Sequence, residues 1–275
     1  MRAQLREVAV RHPGARGAAA ALRGITLDIA AGEQLAVIGP SGAGKTTLLH
    51  TLACALPPVG GELRLDSQNP WELPRRSLQR LRGRLFLAPQ VPPLPPRQRV
   101  VTAVLAGALP TMSLLRSLRS LLYPVDIAGA HAALARFDIA DKLFERVDRL
   151  SGGERQRVSL ARALVSPATL WLVDEPLAAL DPARSAQALE SLTRLARERG
   201  ATLVVTLHEV QRALEMFPRI VGLRDGVVAF DLPAAQVTAE RLQQLYHQHE
   251  DELRGTPPDA AAPSPPLPPA TLQWR

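Results

Sequence analysis

Residues 39–46 read Gly39-Pro40-Ser41-Gly42-Ala43-Gly44-Lys45-Thr46, a glycine-rich octet closed by a lysine and a hydroxyl. The apolar run Gln34-Leu35-Ala36-Val37-Ile38 before it predicts a strand, and the residues after it predict a helix over Thr46–Ala55. Strand, loop and helix in that order are the setting in which G-x-x-x-x-G-K-[ST] cradles phosphates. Glycines let the backbone come close and turn its N–H groups inward, and the helix N-terminus adds a favourable dipole. Lys45 supplies charge for the β- and γ-phosphates, and the Thr46 hydroxyl suits Mg²⁺. A turn that merely precedes a lysine explains neither flank. We therefore expect a nucleoside triphosphate site built from Gly39, Pro40, Ser41, Gly42, Ala43, Gly44, Lys45, Thr46 and Thr47.

A chain of 275 residues, 46% hydrophobic, can bury a sizeable α/β core with inserted subdomains. The single cysteine, Cys54, excludes an intramolecular disulfide and suits a reducing compartment. It falls on the predicted helix after the loop, where a buried, inert thiol is expected. No run of 18 apolar residues is present, so no membrane span is expected, and no secretory signal is visible. Net charge is +7 and nearly all of it is arginine, with Lys45 and Lys142 the only lysines. The arginines are scattered, and with abundant Ala and Pro they read as compositional bias rather than a nucleic-acid patch.

Along the chain, Leu22–Ile29, Gln34–Ile38 and Gly61–Leu65 alternate or run apolar between glycine turns, which suits a β-rich N-terminal portion. Residues 71–149 are rich in Arg and Leu at helical spacing, as in Leu114, Leu115, Leu118, Leu121 and Leu122. We read these as a helix packed into an inserted helical portion, at about 91–149, rather than as a partner-binding face. Strand and helix alternate again from Ser151 to Gly226, implying a parallel sheet. The domain is expected over 1–250. Beyond it a Pro/Ala-rich tail, 251–275, with seven prolines from residue 255 onward, is expected to stay disordered.

Three further elements carry chemistry. The run Thr169-Leu170-Trp171-Leu172-Val173 reads as a strand covered on both faces, and it ends in Asp174-Glu175-Pro176. Open α/β sheets place ligands at that carboxyl edge, so Asp174 is expected to hold Mg²⁺ opposite Thr46 and Glu175 to polarise a water. The strand Leu203-Val204-Val205-Thr206-Leu207 ends in His208. A lone histidine beside an apolar strand is more often a core residue, but this one shares the edge with Lys45 and Glu175, which favours a γ-phosphate contact. Finally, Leu150-Ser151-Gly152-Gly153-Glu154 is locally a capping box. Capping accounts for Ser151 and Glu154 but not for two glycines, which leave a helix N-terminus open to an anion. One nucleotide cannot need both phosphate surfaces in cis, so a head-to-tail dimer with shared sites is the economical solution.

Together these motifs, over about residues 5–230, resemble the ATP-binding subunits of ABC transporters: a P-loop NTPase (RecA-like) core with an N-terminal antiparallel β subdomain and an inserted α-helical subdomain. The resemblance also takes in Gln90 after a short strand and Ala178-Ala179-Leu180-Asp181. It implies ATP and Mg²⁺ as ligands, Glu175 as general base with His208 and Lys45 at the γ-phosphate, and Asp181 in the dimer contact. It also implies that Gln90 senses Mg²⁺ and γ-phosphate and couples to a membrane partner. Where the family often stacks adenine on an aromatic, this chain offers His12, a smaller surface. Pro89 precedes Gln90, and Pro92, Pro93, Pro95 and Pro96 stiffen the loop after it.

Val204–Val210 with Arg219–Gly226, Val104–Gly107 with the stretch to Pro124, and Glu145–Arg149 are most similar to the phosphonate importers within that family. The resemblance then implies a second copy or homologous subunit, transmembrane permease subunits and, indirectly, a periplasmic binding protein as partners, at the cytoplasmic face of the inner membrane. No specific nucleic acid is expected. The competing readings are an exporter motor and a soluble relative acting on ribosomes or DNA. Neither a second cassette nor a long coiled coil is present to favour the latter.

Overall fold

In the computed structural model, residues 1–11, 20–177 and 182–247 are described. His12, the Ala178–Asp181 segment and the tail from 251 onward lie outside the described residues. The N-terminal strands β1 (Ala3–Val10) and β2 (Leu22–Ile29) pair antiparallel, and β4 (Gly60–Leu65) joins β1 on its other side. Between them in sequence come β3 (Gln34–Ile38) and α1 (Lys45–Leu52). Next follow α2 (Arg75–Arg82), β5 (Leu85–Ala88), α3 (Val100–Leu105), α4 (Leu114–Leu122) and α5 (Ile127–Ala135). The remainder is α6 (Gly152–Val165), β6 (Leu170–Asp174), α7 (Pro182–Glu198), β7 (Thr202–Thr206), α8 (Val210–Met216), β8 (Arg219–Arg224), β9 (Val227–Pro233) and α9 (Ala239–Tyr246).

The central sheet has the order β5-β6-β7-β3-β8-β9, parallel throughout except for the β8–β9 hairpin at its edge. Strand periodicity decides how it is filled. Leu35, Val37, Leu170, Leu172, Val204 and Val221 face one core, shared with α1 and the antiparallel sheet. Ala36, Ile38, Trp171, Val173, Leu203, Val205 and Ile220 face the other, shared with α3 and α5–α9. Because both faces are covered, β3, β6 and β7 are buried along their whole length, which is why they read as unbroken apolar runs.

Two expectations need correction. The helix after the phosphate loop ends at Leu52 rather than Ala55, because Cys54 takes a left-handed φ of 56° and the Ala55 N–H folds back onto His50 O at 2.8 Å. Within 71–149, the short strand expected before Gln90 forms as β5 and joins the central sheet, and the first helix after Gln90 is α3. The leucine helix forms as α4, but three of its leucines stand largely in solvent: Leu114 is 75% exposed, Leu115 81% and Leu118 54%, while Ser120 is buried. Spacing marks an apolar face without saying which way the helix is turned.

Candidate functional site

Adjacent strands deliver the site. In sheet order β5, β6, β7 and β3 lie side by side, and their carboxyl ends lead into Gln90, Asp174-Glu175, Thr206-Leu207-His208 and the phosphate loop.

The loop needs its glycines for space and for backbone sign. Gly39 has a φ of 151°, and a Cβ there would sit 2.0 Å from Leu223 O. Gly44, the residue before α1, has a φ of 102°, and a Cβ would meet Ala21 O at 2.8 Å. The Lys45 ammonium is buried and donates to Gly39 O at 2.7 Å and Pro40 O at 3.2 Å, so it lies along the inside of the loop it serves. Thr46 is exposed at the first turn of α1, with Thr47 buried behind it.

Asp174 is buried, and its Oδ1 accepts from the Thr206 hydroxyl at 2.6 Å. Burial pushes its carboxyl above the ordinary range, against hydrogen bonds from Thr206 and Thr46, and the Glu175 charge adds to the rise. A desolvated carboxylate held by two hydroxyls and facing a threonine of the phosphate loop is one that a hard cation stabilises. Thr46 and Asp174 therefore fit Mg²⁺.

Glu175 lies next along the chain with a left-handed φ of 45°. Its Oε1 is 2.5 Å from His208 Nε2, and its Oε2 accepts from Gln90 Nε2 at 2.7 Å. Burial alone would raise its carboxyl, but His208, Lys45 and Gln90 together outweigh it and hold the group below the usual glutamate range. Glu175 is thus a carboxylate at neutral pH, with the histidine and glutamine expected from the sequence gathered on it. With its amide nitrogen on Glu175, Gln90 keeps Oε1 as the atom able to reach a metal.

The Ser-Gly-Gly element stands apart. Ser151 caps α6 in a full capping box: Ser151 N–H donates to Glu154 Oε2 at 2.7 Å, and Glu154 N–H to Ser151 Oγ at 3.2 Å. Ser151 and Gly152 are exposed, and among the described residues no hydrogen bond joins Ser151–Gly153 to residues 39–46. The phosphate edge is an open surface. A cavity of about 600 Å³, lined by Arg116, Arg136, Leu164 and Arg199 among others, lies elsewhere, among α4–α7.

Two contributors escaped the sequence reading. The Thr206 hydroxyl both donates to Asp174 and accepts the Glu175 N–H at 2.9 Å, so one side chain fixes both acids. Tyr246, buried at the end of α9, accepts the Gly39 N–H at 3.1 Å and anchors the first residue of the phosphate loop. Neither carries a local signal: a threonine in a strand and a tyrosine on an amphipathic helix both read as packing.

This fold and edge define a P-loop nucleotide hydrolase. The ABC transporter family model matches residues 22–178, and the chain belongs to that family. It is 68% identical over the whole of both chains to the phosphonates import ATP-binding protein PhnC of Polaromonas sp.. It is 70% identical to a second such protein, PhnC 2 of Albidiferax ferrireducens, over 93% of this chain and 92% of that one. Among solved structures, the dimeric post-hydrolysis state of an ATP-binding cassette bound to ADP and Pi is 27% identical. It aligns over 84% of this chain and 98% of its own with a TM-score of 0.72.

Proposed function

We propose that this chain is the ATP-hydrolysing motor of an importer for phosphonates or related phosphorus oxyanions, working as a head-to-tail dimer on the cytoplasmic face of the membrane beside permease subunits. A periplasmic binding protein would present the cargo. The observation that carries the dimer is that Ser151 and Gly152 lie exposed, with no hydrogen bond among the described residues from Ser151–Gly153 to the phosphate loop of its own chain. A second copy can bring that helix N-terminus to the phosphates, and the dimeric relative bound to ADP and Pi supports this arrangement. The cargo class rests on the PhnC relatives, since no residue of this site reads cargo.

In this reading the backbone of Gly39–Thr46 and the Lys45 ammonium bind the phosphates of ATP, with Lys45 moving from its contacts on Gly39 and Pro40. Thr46 and Asp174, with Gln90 through Oε1, would hold Mg²⁺, whose charge balances that of the phosphate oxygens. Glu175 takes a proton from the attacking water onto the oxygen that His208 or Gln90 releases, and His208 then contacts the γ-phosphate. Asp181 and His12, outside the described residues, are assigned to the dimer contact and the base. Residues 1–250 form the ATPase domain, with the helical insertion at about 91–149, followed by the tail.

Glu175→Gln tests the catalytic and dimer readings together. We expect ATP binding to persist, turnover to fall by about 10²–10⁴, and MgATP to shift the variant to dimer mass in size exclusion with light scattering. Wild-type turnover would remove Glu175 as the base, and a strictly monomeric variant with bound MgATP would remove the shared site. For cargo, the chain should restore growth on a phosphonate as sole phosphorus source to a strain lacking its own phosphonate-import ATPase. Failure while its ATPase is intact in those cells would overturn the cargo class alone.

A further inference from the structure

Helix α4 turns three of its leucines outward. Leu114, Leu115 and Leu118 fall on one face at i, i+1 and i+4 and stand largely in solvent, while Ser117 is half-buried and Ser120 buried against the body. A helix held by hydrophobic packing would show the reverse. The apolar exposure continues past its end through Tyr123 at 71% and Val125 and Ile127. The charge on α4 itself has one sign: from Thr111 to Val125 the charged residues are Arg116 and Arg119, and the first acid, Asp126, stands exposed between Val125 and Ile127 and shares with Glu198 the cavity that Arg116 lines. Both arginines are exposed, and no ion pair among the described residues involves them.

Position separates this face from the surfaces already assigned. Arg116 lines a cavity together with Leu164 and Val165 at the end of α6 and Leu195 and Arg199 at the end of α7. Those helix ends are opposite to the one that carries Ser151, so α4 lies away from the edge where a second copy would close. The segment after Gln90, with Val91 79% exposed, is separated from α4 along the chain by α3. Gln90 is the residue that the family resemblance ties to a membrane partner.

We propose that α4 docks on an anionic lipid surface, its leucines entering the headgroup–acyl boundary and Arg116 and Arg119 meeting lipid phosphates. A stripe of exposed leucines on a helix that itself carries two arginines and no acid is the form that lies in such an interface, and the neighbouring acid, Asp126, accepts the Gly129 N–H as the cap of α5. A protein partner would have to supply both a groove and matching acids, whereas an anionic bilayer supplies both demands without a built site. The proposal goes beyond the transport reading and stands on α4 alone, so its failure leaves Glu175 and the motor untouched.

The test is sedimentation of the full chain with sucrose-loaded vesicles of phosphatidylcholine, alone or mixed with phosphatidylglycerol. We expect binding to the mixed vesicles that weakens with added salt and is not competed by inorganic phosphate. Arg116→Gln with Arg119→Gln should weaken it about 30-fold at low salt, and Leu114→Ser, Leu115→Ser and Leu118→Ser together at least about tenfold. Because these leucines stand more than half in solvent, ATPase activity of the triple variant should match wild type and its thermal midpoint should change little. Equal binding to both vesicle types, competition by free phosphate, or wild-type binding by either variant would overturn the proposal. So would binding that appears only on vesicles carrying the permease, which would make α4 a protein-docking face.

Discussion

Replacing Thr206 with valine isolates the hydroxyl that holds both acids. The side chain is fully buried and valine has its shape, so packing in β7 survives. Two hydrogen bonds do not: the 2.6 Å bond to the Asp174 carboxylate and the 2.9 Å bond from the Glu175 N–H. A bond to a charged group contributes about 1.5–3 kcal/mol, and a buried N–H left alone costs about 1–3 kcal/mol, so the variant should lose about 3–5 kcal/mol of stability. Asp174 also loses one of the two hydroxyls that oppose its burial, so its carboxyl, already raised, rises further. A protonated Asp174 cannot hold Mg²⁺. The acid limb of the ATPase profile should therefore move to higher pH, and the Mg²⁺ needed for half-maximal rate should increase about tenfold for each 1.4 kcal/mol lost at the metal. Urea unfolding and phosphate release across a Mg²⁺ titration read the two effects, and Thr206→Ser should restore both. Stability within about 0.5 kcal/mol of wild type with an unchanged Mg²⁺ requirement would refute the reasoning.

Ser151→Ala should cost about 1 kcal/mol in urea unfolding through the lost cap and lower hydrolysis while ATP binding by the monomer survives; equal loss of both would count against a shared site. Tyr246→Phe keeps the ring and removes the acceptor for Gly39, so KM for ATP should rise severalfold while kcat stays within about twofold; an unmoved KM would reduce Tyr246 to packing. Burial pushes the Cys54 thiol up from its ordinary 9.0 to about 12. The unfolded chain then binds fewer protons between those values, and stability should fall by about 1.4 kcal/mol per pH unit once pH passes the lower one. Cys54→Ala should flatten that alkaline slope in unfolding followed by circular dichroism, and a slope that persists would exclude the thiol as its source.

The placement of the candidate site was legible because each residue singled out follows a strand whose pattern announces itself. Lys45, Gln90, Asp174, Glu175 and His208 follow short apolar runs, and parallel pairing leaves one edge for all of them. What could not be read depends on distance or orientation. Tyr246 reaches Gly39 across 207 residues, and Thr206 has the composition of any β-former. The leucines of α4 give a helical period whether the face is buried or bare, and only the body's use of Ser117 and Ser120 decides between them. The early end of α1 turns on the backbone of Cys54, which no side-chain pattern reports.

The alternation of β3, β5, β6 and β7 between two cores has a further consequence. Each strand is gripped from above and below by different neighbours, so a slip of one residue would exchange the cores and also carry an acid or the histidine off the edge. The apolar interior therefore acts as a jig that sets the reacting groups in register. Substitutions deep in either core, far from any phosphate, should detune hydrolysis before they unfold the chain.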